Sequence, residues 1–292
     1  MSCGQIALKE LGIDIDNYYA SEIDKNAIKV TMDNFPDTIQ IGDVTKITTD
    51  FLKTLPEIDL ILFGSPYRSL SKATAGRKNY NNGLRGISWL FYPCNHILQW
   101  IKINNNQNVK FLVENVDSNK SDDIAKMSKL LDVQPVLINS SLFSAQERKR
   151  NYWTNIPVSE LPKENGLVLK DIMDIEVPEK YFYNKDFTYH GDGNKICATL
   201  HIKGHDILKR VYNSNGKSPT LTSCRGGNLQ KKVFDNGKCR KLTPNEYRKL
   251  QTIPDWYKMN VADSHIYNMC GDGWTVEVIK HILKGMLPSK DN

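Results

Sequence analysis

The sequence predicts an α/β fold on a mostly parallel sheet, with a smaller irregular unit attached. Three observations lead there: short apolar runs alternate with amphipathic ones from residue 18 to residue 156, acidic or turn residues follow several of those runs, and the alternation stops after Pro157. Strand and helix in alternation give a parallel sheet covered on both faces, whose ligands sit at the carboxyl ends of the strands.

Candidate strands are 18–21, 39–41, 60–63, 111–113, 136–138 and 152–154, each an apolar or β-branched run that ends in polar or turn residues. Helical spacing predicts helices over 5–11, 25–34, 88–103 and 121–131, the last opened by Ser121. Beyond Pro157 the chain is rich in Asn, Gly and Lys, with turn pairs Asn215-Gly216 and Asn236-Gly237, so a separate irregular domain is expected to about residue 238. Thr243-Pro244 with Glu246 three residues after the threonine has the form of a capping box, predicting a helix over 243–250. A last amphipathic helix is expected over 276–284.

Net charge is +6, but thirteen Lys and Arg against three acids lie between Lys195 and Lys249. That stretch is a candidate polyanion-binding face, although solvated surface lysines give a milder form of the same bias. Six cysteines without a C-x-x-C pair argue against a zinc site and a disulfide framework, and His190, His201 and His205 lack metal spacing, so no metal is expected. There is no apolar run of about 18 residues and no secretory pattern, so a cytoplasmic protein without a membrane partner is expected.

Glu22 follows the run at 18–21, where an acid in an open α/β sheet accepts from ribose hydroxyls. Asp43 follows the next run and is placed to accept from an adenine amino group, and Gly4 precedes the first helix, where a ligand can approach backbone. Each acid alone is equally a strand-end cap.

The motifs Gly64-Ser65-Pro66-Tyr67, Val113-Glu114-Asn115-Val116 and Gln146-Glu147-Arg148-Lys149-Arg150 occur in that order. Ser218-Pro219-Thr220-Leu221-Thr222, Arg240-Lys241-Leu242-Thr243, Leu250-Gln251-Thr252-Ile253-Pro254 and Gly271-Asp272-Gly273-Trp274-Thr275-Val276 follow. In order, spacing and context this series resembles the cytosine-5 DNA methyltransferases over almost the whole chain. Its wording is closest to de novo-type enzymes and to phage and bacterial members. The resemblance implies a Rossmann-like, S-adenosylmethionine-dependent methyltransferase fold. A catalytic and cofactor domain would span 1–157, a target-recognition domain 158–239, and 240–292 would return to complete the first.

It also implies methyl transfer from S-adenosyl-L-methionine to a flipped-out cytosine in double-stranded DNA. Carbon 5 of cytosine takes a methyl group only after a thiolate has added to carbon 6. The resemblance assigns the nucleophile position to Tyr67, the ring-holding acid to Glu114, and contacts with the base carbonyl and a nearby phosphate to Arg148 and Arg150, with Arg148 the better ring orienter. Cofactor contacts would come from Gly4, Glu22, Ile23, Asp43, Val44, Pro66, Trp274 and Thr275, and DNA contacts from Ser69, Thr220, Thr222 and Arg225. Trp274 is equally a core aromatic sealing the last helix.

Two departures matter. Tyr67 stands where the family has cysteine, and a phenol with pKa about 10 is a weaker, bulkier nucleophile, so impaired methyl transfer is expected. The family's opening strand, which ends in Phe-x-Gly, has no counterpart before Met1-Ser2-Cys3-Gly4, so one strand, one cofactor-contacting turn and some cofactor affinity are expected to be missing. A catalytically inactive DNA-binding or regulatory homologue, and an RNA methyltransferase on the same frame, remain alternatives. The acids at the cofactor end argue against a pure binder, and a substrate test separates DNA from RNA.

Overall fold

The computed structural model describes residues 1–65, 84, 87–117, 121–224 and 228–288. In chain order the first half runs α1 (Cys3–Glu10), β1 (Tyr19–Ala20), α2 (Lys25–Asn34), β2 (Ile39–Gln40), α3 (Thr49–Leu52), β3 (Leu60–Gly64), α4 (Phe91–Asn104), β4 (Lys110–Val116), α5 (Ser121–Leu131), β5 (Val136–Asn139) and β6 (Lys149–Thr154). The rest runs α6 (Leu169–Ile172), β7 (Phe187–Tyr189), β8 (Ile196–Leu200), α7 (Asp206–Lys209), β9 (Arg210–Tyr212), β10 (Lys232–Asp235), β11 (Lys238–Lys241), α8 (Pro244–Leu250), α9 (Asp263–Asp272) and α10 (Val276–Leu283).

Local signals explain several of these limits. Asp24 caps α2 by accepting from the backbone N–H groups of Asn26 and Ala27, at 2.9 and 3.3 Å. Thr243 and Glu246 complete the expected capping box at α8, with Pro244 in its first turn. α9 lacks such a signal: its cap position is Ala262, which offers no side-chain acceptor, and sequence patterning missed the helix.

β1 pairs in parallel with β2, and a four-stranded sheet has the order β3-β4-β6-β5. β3, β4 and β5 share one direction, as expected of a mostly parallel sheet, and β6 alone of the four runs antiparallel to its neighbours β4 and β5. The reason is connection length: only residues 140–148 separate β5 from β6, too few for the crossover that parallel neighbours need.

β4 shows why this sheet is covered on both faces. Phe111 and Val113 point into a core with Phe91, Leu98 and Ile101 of α4, Met127 and Leu131 of α5, and Trp153. Leu112, on the alternate face, joins the core that includes Ile6 and Ala7 of α1 and Ile279 and Ile282 of α10. Glu114 is two residues on from Leu112 and shares that second face.

The segment expected to be irregular instead forms a five-stranded sheet of order β11-β10-β9-β8-β7, antiparallel except between β9 and β10. Ala198, Leu200, Val211 and Cys239 make its small core. Its strands are three to five residues long, so turn residues dominate the local sequence and hide the pairing. No helix among the described residues is long and apolar enough to cross a membrane.

Candidate active site

Register brings the motifs together. Gly64, the last residue of β3, is the cross-strand partner of Glu114 on β4, and Glu114 is opposite Tyr152 on β6. Glu114 is buried, and its Oε1 lies 2.8 Å from Nε of Arg150, which is buried too. Oε2 accepts from the indole Nε1–H of Trp274 at 3.2 Å. One carboxylate is therefore held from both sides, by a cation on β6 and by a neutral donor from the turn before α10.

Gly64 makes that approach possible. A Cβ there would come 3.1 Å from Trp274 Nε1 and 3.2 Å from Glu114 Oε2, tighter than ordinary side-chain contacts. Next along the chain, Ser65 is tied to the same strand: Asn115 Nδ2 donates to Ser65 Oγ at 2.9 Å, while Asn115 Oδ1 accepts from the backbone of Val116. Asn115 thus fixes the start of the segment that carries Pro66, Tyr67 and Ser69, three positions that, like Arg225, lie outside the described residues.

Arg148 differs from expectation. Its guanidinium is buried and donates to three backbone carbonyls, those of Leu221 at 2.9 Å, Gly271 at 3.2 Å and Gly273 at 2.9 Å. It clamps the segment with Thr220 and Thr222 onto the turn that presents Trp274, and Arg150 is the arginine beside Glu114. At Gly271 a Cβ would come closer than 3.0 Å to the backbone of Ser223, so only glycine permits the two segments to meet. Thr220 is partly exposed and donates through Oγ1 to the Glu147 carbonyl at 2.7 Å.

Thr275 also differs. It is 1 % exposed, its Oγ1 donates to Gln251 Oε1 at 2.9 Å and it shares a hydrogen bond with Ser140 Oγ at 2.8 Å, so it serves a buried polar network rather than an open cofactor surface. Gly4 is buried one residue inside α1 instead of preceding it. A Cβ there would meet Leu62 Cδ1 at 2.5 Å and Tyr18 Oη at 3.0 Å, so this glycine serves helix-to-strand packing.

The other cofactor candidates lie on neighbouring turns at the carboxyl ends of β1 and β2, joined by a 2.7 Å bond from Ser21 Oγ to the Gly42 carbonyl. Glu22 accepts from the backbone of Ile23 and Asp24 through Oε1 alone, which leaves the accepting capacity of Oε2 for a ligand hydroxyl. Beside it Ile23 is 73 % exposed, an unusual place for a bare branched apolar side chain. Asp43, followed by the partly exposed Val44, accepts from Thr45, which holds its carboxyl below the usual range. An acceptor for a diol, an apolar surface for a base and a second acid fit an adenine nucleoside.

No described thiol takes the place of a nucleophile. Burial pushes Cys94 and Cys224 up to about 11 and raises Cys3, Cys197, Cys239 and Cys270 as well, the opposite of an activated cysteine. Among the described residues no group of three or more His, Cys, Asp or Glu could hold a metal ion.

The family model for C-5 cytosine-specific DNA methylase matches residues 2–287. Type II methyltransferase M.HhaI of Haemophilus parahaemolyticus is 26 % identical over 300 residues, covering 95 % of this chain and 89 % of its own. Orphan methyltransferase M.SPRI of Bacillus phage SPR is 26 % identical over 281 residues, covering 77 % of this chain and 62 % of its own. Among solved structures, the Entamoeba histolytica methyltransferase EhMeth superposes with a TM-score of 0.69 at 13 % identity, over 97 % of this chain and 94 % of the other. A Spodoptera frugiperda DNMT2 mutant gives 0.66 at 20 % identity, over 97 % and 96 %. At those identities the structures speak for the fold, while the family match spans nearly all of the sequence: the chain belongs to the C-5 cytosine-specific DNA methylases, whose methyl donor is S-adenosylmethionine.

Proposed function

We propose that this chain uses the pocket around Glu114 to hold a cytosine flipped out of double-stranded DNA for methylation at carbon 5. The observation that carries the proposal is the double restraint on Glu114, by Arg150 at 2.8 Å and by Trp274 at 3.2 Å, beside the Gly64-Ser65 turn. A buried carboxyl group needs such partners, and an acid oriented in this way can accept from the amino group of cytosine while a proton shared with ring nitrogen 3 holds the ring. Arg150, on the same carboxylate, is placed to contact the base carbonyl. Arg148 acts by holding the recognition segment and the Trp274 turn in register.

S-adenosylmethionine, when bound, supplies the methyl group. Glu22, Ile23 and Asp43 would hold its nucleoside, with Val44 next to Asp43 and Pro66 as a further contact. Thr220 and Thr222, with Ser69 and Arg225, would meet DNA. The catalytic unit would comprise 1–157 together with 240–292, and 158–239 would form the recognition unit; this fits the separate sheet of β7 to β11.

Tyr67 at the nucleophile position is the weak point of turnover, because a neutral phenol does not supply what a thiolate does. The test is methyl transfer from labelled S-adenosylmethionine to duplex DNA by the chain as it stands and by Tyr67→Cys. Activity confined to the cysteine variant supports the assignment of Glu114 and of position 67. Robust transfer by the tyrosine form would overturn the nucleophile assignment, and absence of transfer from both would favour a DNA-binding homologue.

A further inference from the structure

Six of the thirteen Lys and Arg between Lys195 and Lys249 are matched by carboxylates among the described residues. Arg240 is fully buried between Asp235 and Glu246, at 2.6 and 2.7 Å. Arg210 pairs with Asp206, Lys217 with Glu164, Arg248 with Asp255, Lys249 with Asp174, and Lys195 with Glu147. Lys231, Lys232 and Lys241 are among the lysines there, with Lys203, Lys209 and Lys238, that form no ion pair with a carboxylate among the described residues.

These three lysines are also close together. Lys232 and Lys241 are direct cross-strand partners on β10 and β11, an arrangement in which like charges repel. Both ammonium groups lie 5.7 Å from the centre of the Tyr183 ring. Lys232 is 2 % exposed, and its Nζ donates to the carbonyls of Asn228 at 2.7 Å and Gln230 at 3.1 Å, which fixes it in place. Burial, followed by Lys231 and Lys241, pushes its pKa down to about 8. Burial also lowers Lys231, which feels Arg210 as a further repelling charge. A set of cations held this closely without an acid lacks the anion that would offset its repulsion.

Position names the anion. The lysines follow the segment that Arg148 clamps beside Trp274 and Glu114, and Lys232 holds the carbonyls of that segment's continuation at Asn228 and Gln230. Residues of β8 and β9 in the same sheet also line a hollow of about 570 Å³, with Lys195, Arg210 and Tyr212 in its wall. The cluster is thus joined through the chain to the part that Arg148 holds beside Trp274.

We propose that Lys231 and Lys241, braced by Lys232 and Tyr183, grip backbone phosphates of the DNA that carries the target cytosine. The inference rests on the DNA methyltransferase function proposed above, and extends it to a phosphate-binding site that the motifs do not include. The test uses the full chain and a labelled duplex, with affinity followed by fluorescence anisotropy across a salt series. Removing one lysine–phosphate pair lowers the slope of log affinity against log salt by about 0.9, so Lys231→Gln and Lys241→Gln should each show that decrease and the double variant about 1.8. Lys231→Arg keeps the charge and should keep the slope, and Lys53→Gln, on a remote exposed lysine, should change nothing. Relief of the repulsion should leave the melting temperature of the Gln variants equal or higher.

A double variant that binds duplex DNA with the parental slope overturns the phosphate grip while the methyltransferase function stands. A slope that falls for an RNA duplex and not for DNA also overturns it. If the parent shows no salt-dependent affinity for duplex DNA, both the grip and the proposed function fail.

Discussion

Replacing Arg148 by methionine separates a clamp from a base contact. The substitution keeps an apolar stem of similar length and removes the three donors that reach Leu221, Gly271 and Gly273 at 2.9, 3.2 and 2.9 Å. Hydrogen bonds from a charged group are worth roughly 1.5–3 kcal/mol each, and their sum overstates the loss because carbonyls relax and water enters. Leaving three buried carbonyls without a donor costs about 1–3 kcal/mol each, less than additively, so roughly 3–5 kcal/mol is the expected destabilisation. At about 2–4 °C per kcal/mol for a large domain, the melting temperature should fall by roughly 10 °C. Arg148→Lys, which can reach one or two of the carbonyls, should fall between the two. The assay is thermal unfolding followed by far-ultraviolet circular dichroism, with duplex DNA affinity measured below the transition. A methionine variant that melts within about 2 °C of the parent, yet loses DNA affinity or methyl transfer, would show that Arg148 contacts the base and not the scaffold.

Trp274→Phe keeps an aromatic ring and removes the donor to Glu114. In the Tyr67→Cys background it should lower kcat by about tenfold or more, the equivalent of one hydrogen bond to a charged group, with little change in KM for S-adenosylmethionine. A rise in that KM with kcat unchanged would instead make Trp274 a cofactor contact. Lys232 gives a pH signature: its folded pKa of about 8 lies below the ordinary lysine value of 10.5, so between those limits the unfolded chain binds more protons and stability rises with pH. The gain is complete above the unfolded pKa and is lost as pH falls through about 8, and Lys232→Met should flatten the profile of melting temperature against pH.

The sequence carried local information well and pairing information poorly. The predicted helices over 25–34 and 121–131 match α2 and α5 end to end, because capping and amphipathic spacing are contained within each segment. The Thr243 capping box is equally local. By contrast, the pairing of β6 with β4 and the sheet of β7 to β11 depend on partners farther away in the chain. α9 escaped because it begins at an alanine cap, and its last buried residues, Met269, Cys270 and Gly271, are consecutive rather than spaced by helical turns.

The candidate site divides in the same way. Motif order singled out Glu114 and Arg150, and the structure brings them within 2.8 Å of each other. The functions of Arg148 and Thr275 were hidden, since both residues bond to groups contributed by other motifs, as did the reach of Trp274 across Gly64. A signal for Gly64 was present in principle: glycine closing an otherwise apolar strand marks a close approach of something else.

The frame around Glu114 is built from Gly64, Arg150 and Trp274, and the start of the nucleophile loop is fixed through Ser65 and Asn115. These supports all lie among the described residues and are unchanged in sequence in the Tyr67→Cys variant. What tyrosine removes is chemical: at neutral pH a phenol with pKa about 10 is ionised to roughly one part in a thousand, against a few per cent for an ordinary thiol. No buried cysteine compensates, because burial raises all six thiols. Binding and turnover should therefore come apart. The chain as it stands should hold duplex DNA and S-adenosylmethionine and transfer methyl groups slowly or not at all, whereas Tyr67→Cys should restore the rate without changing either affinity by more than a few fold. Loss of DNA affinity in the tyrosine form, regained with cysteine, would refute this separation and place the Tyr67 ring in the path of the flipped base.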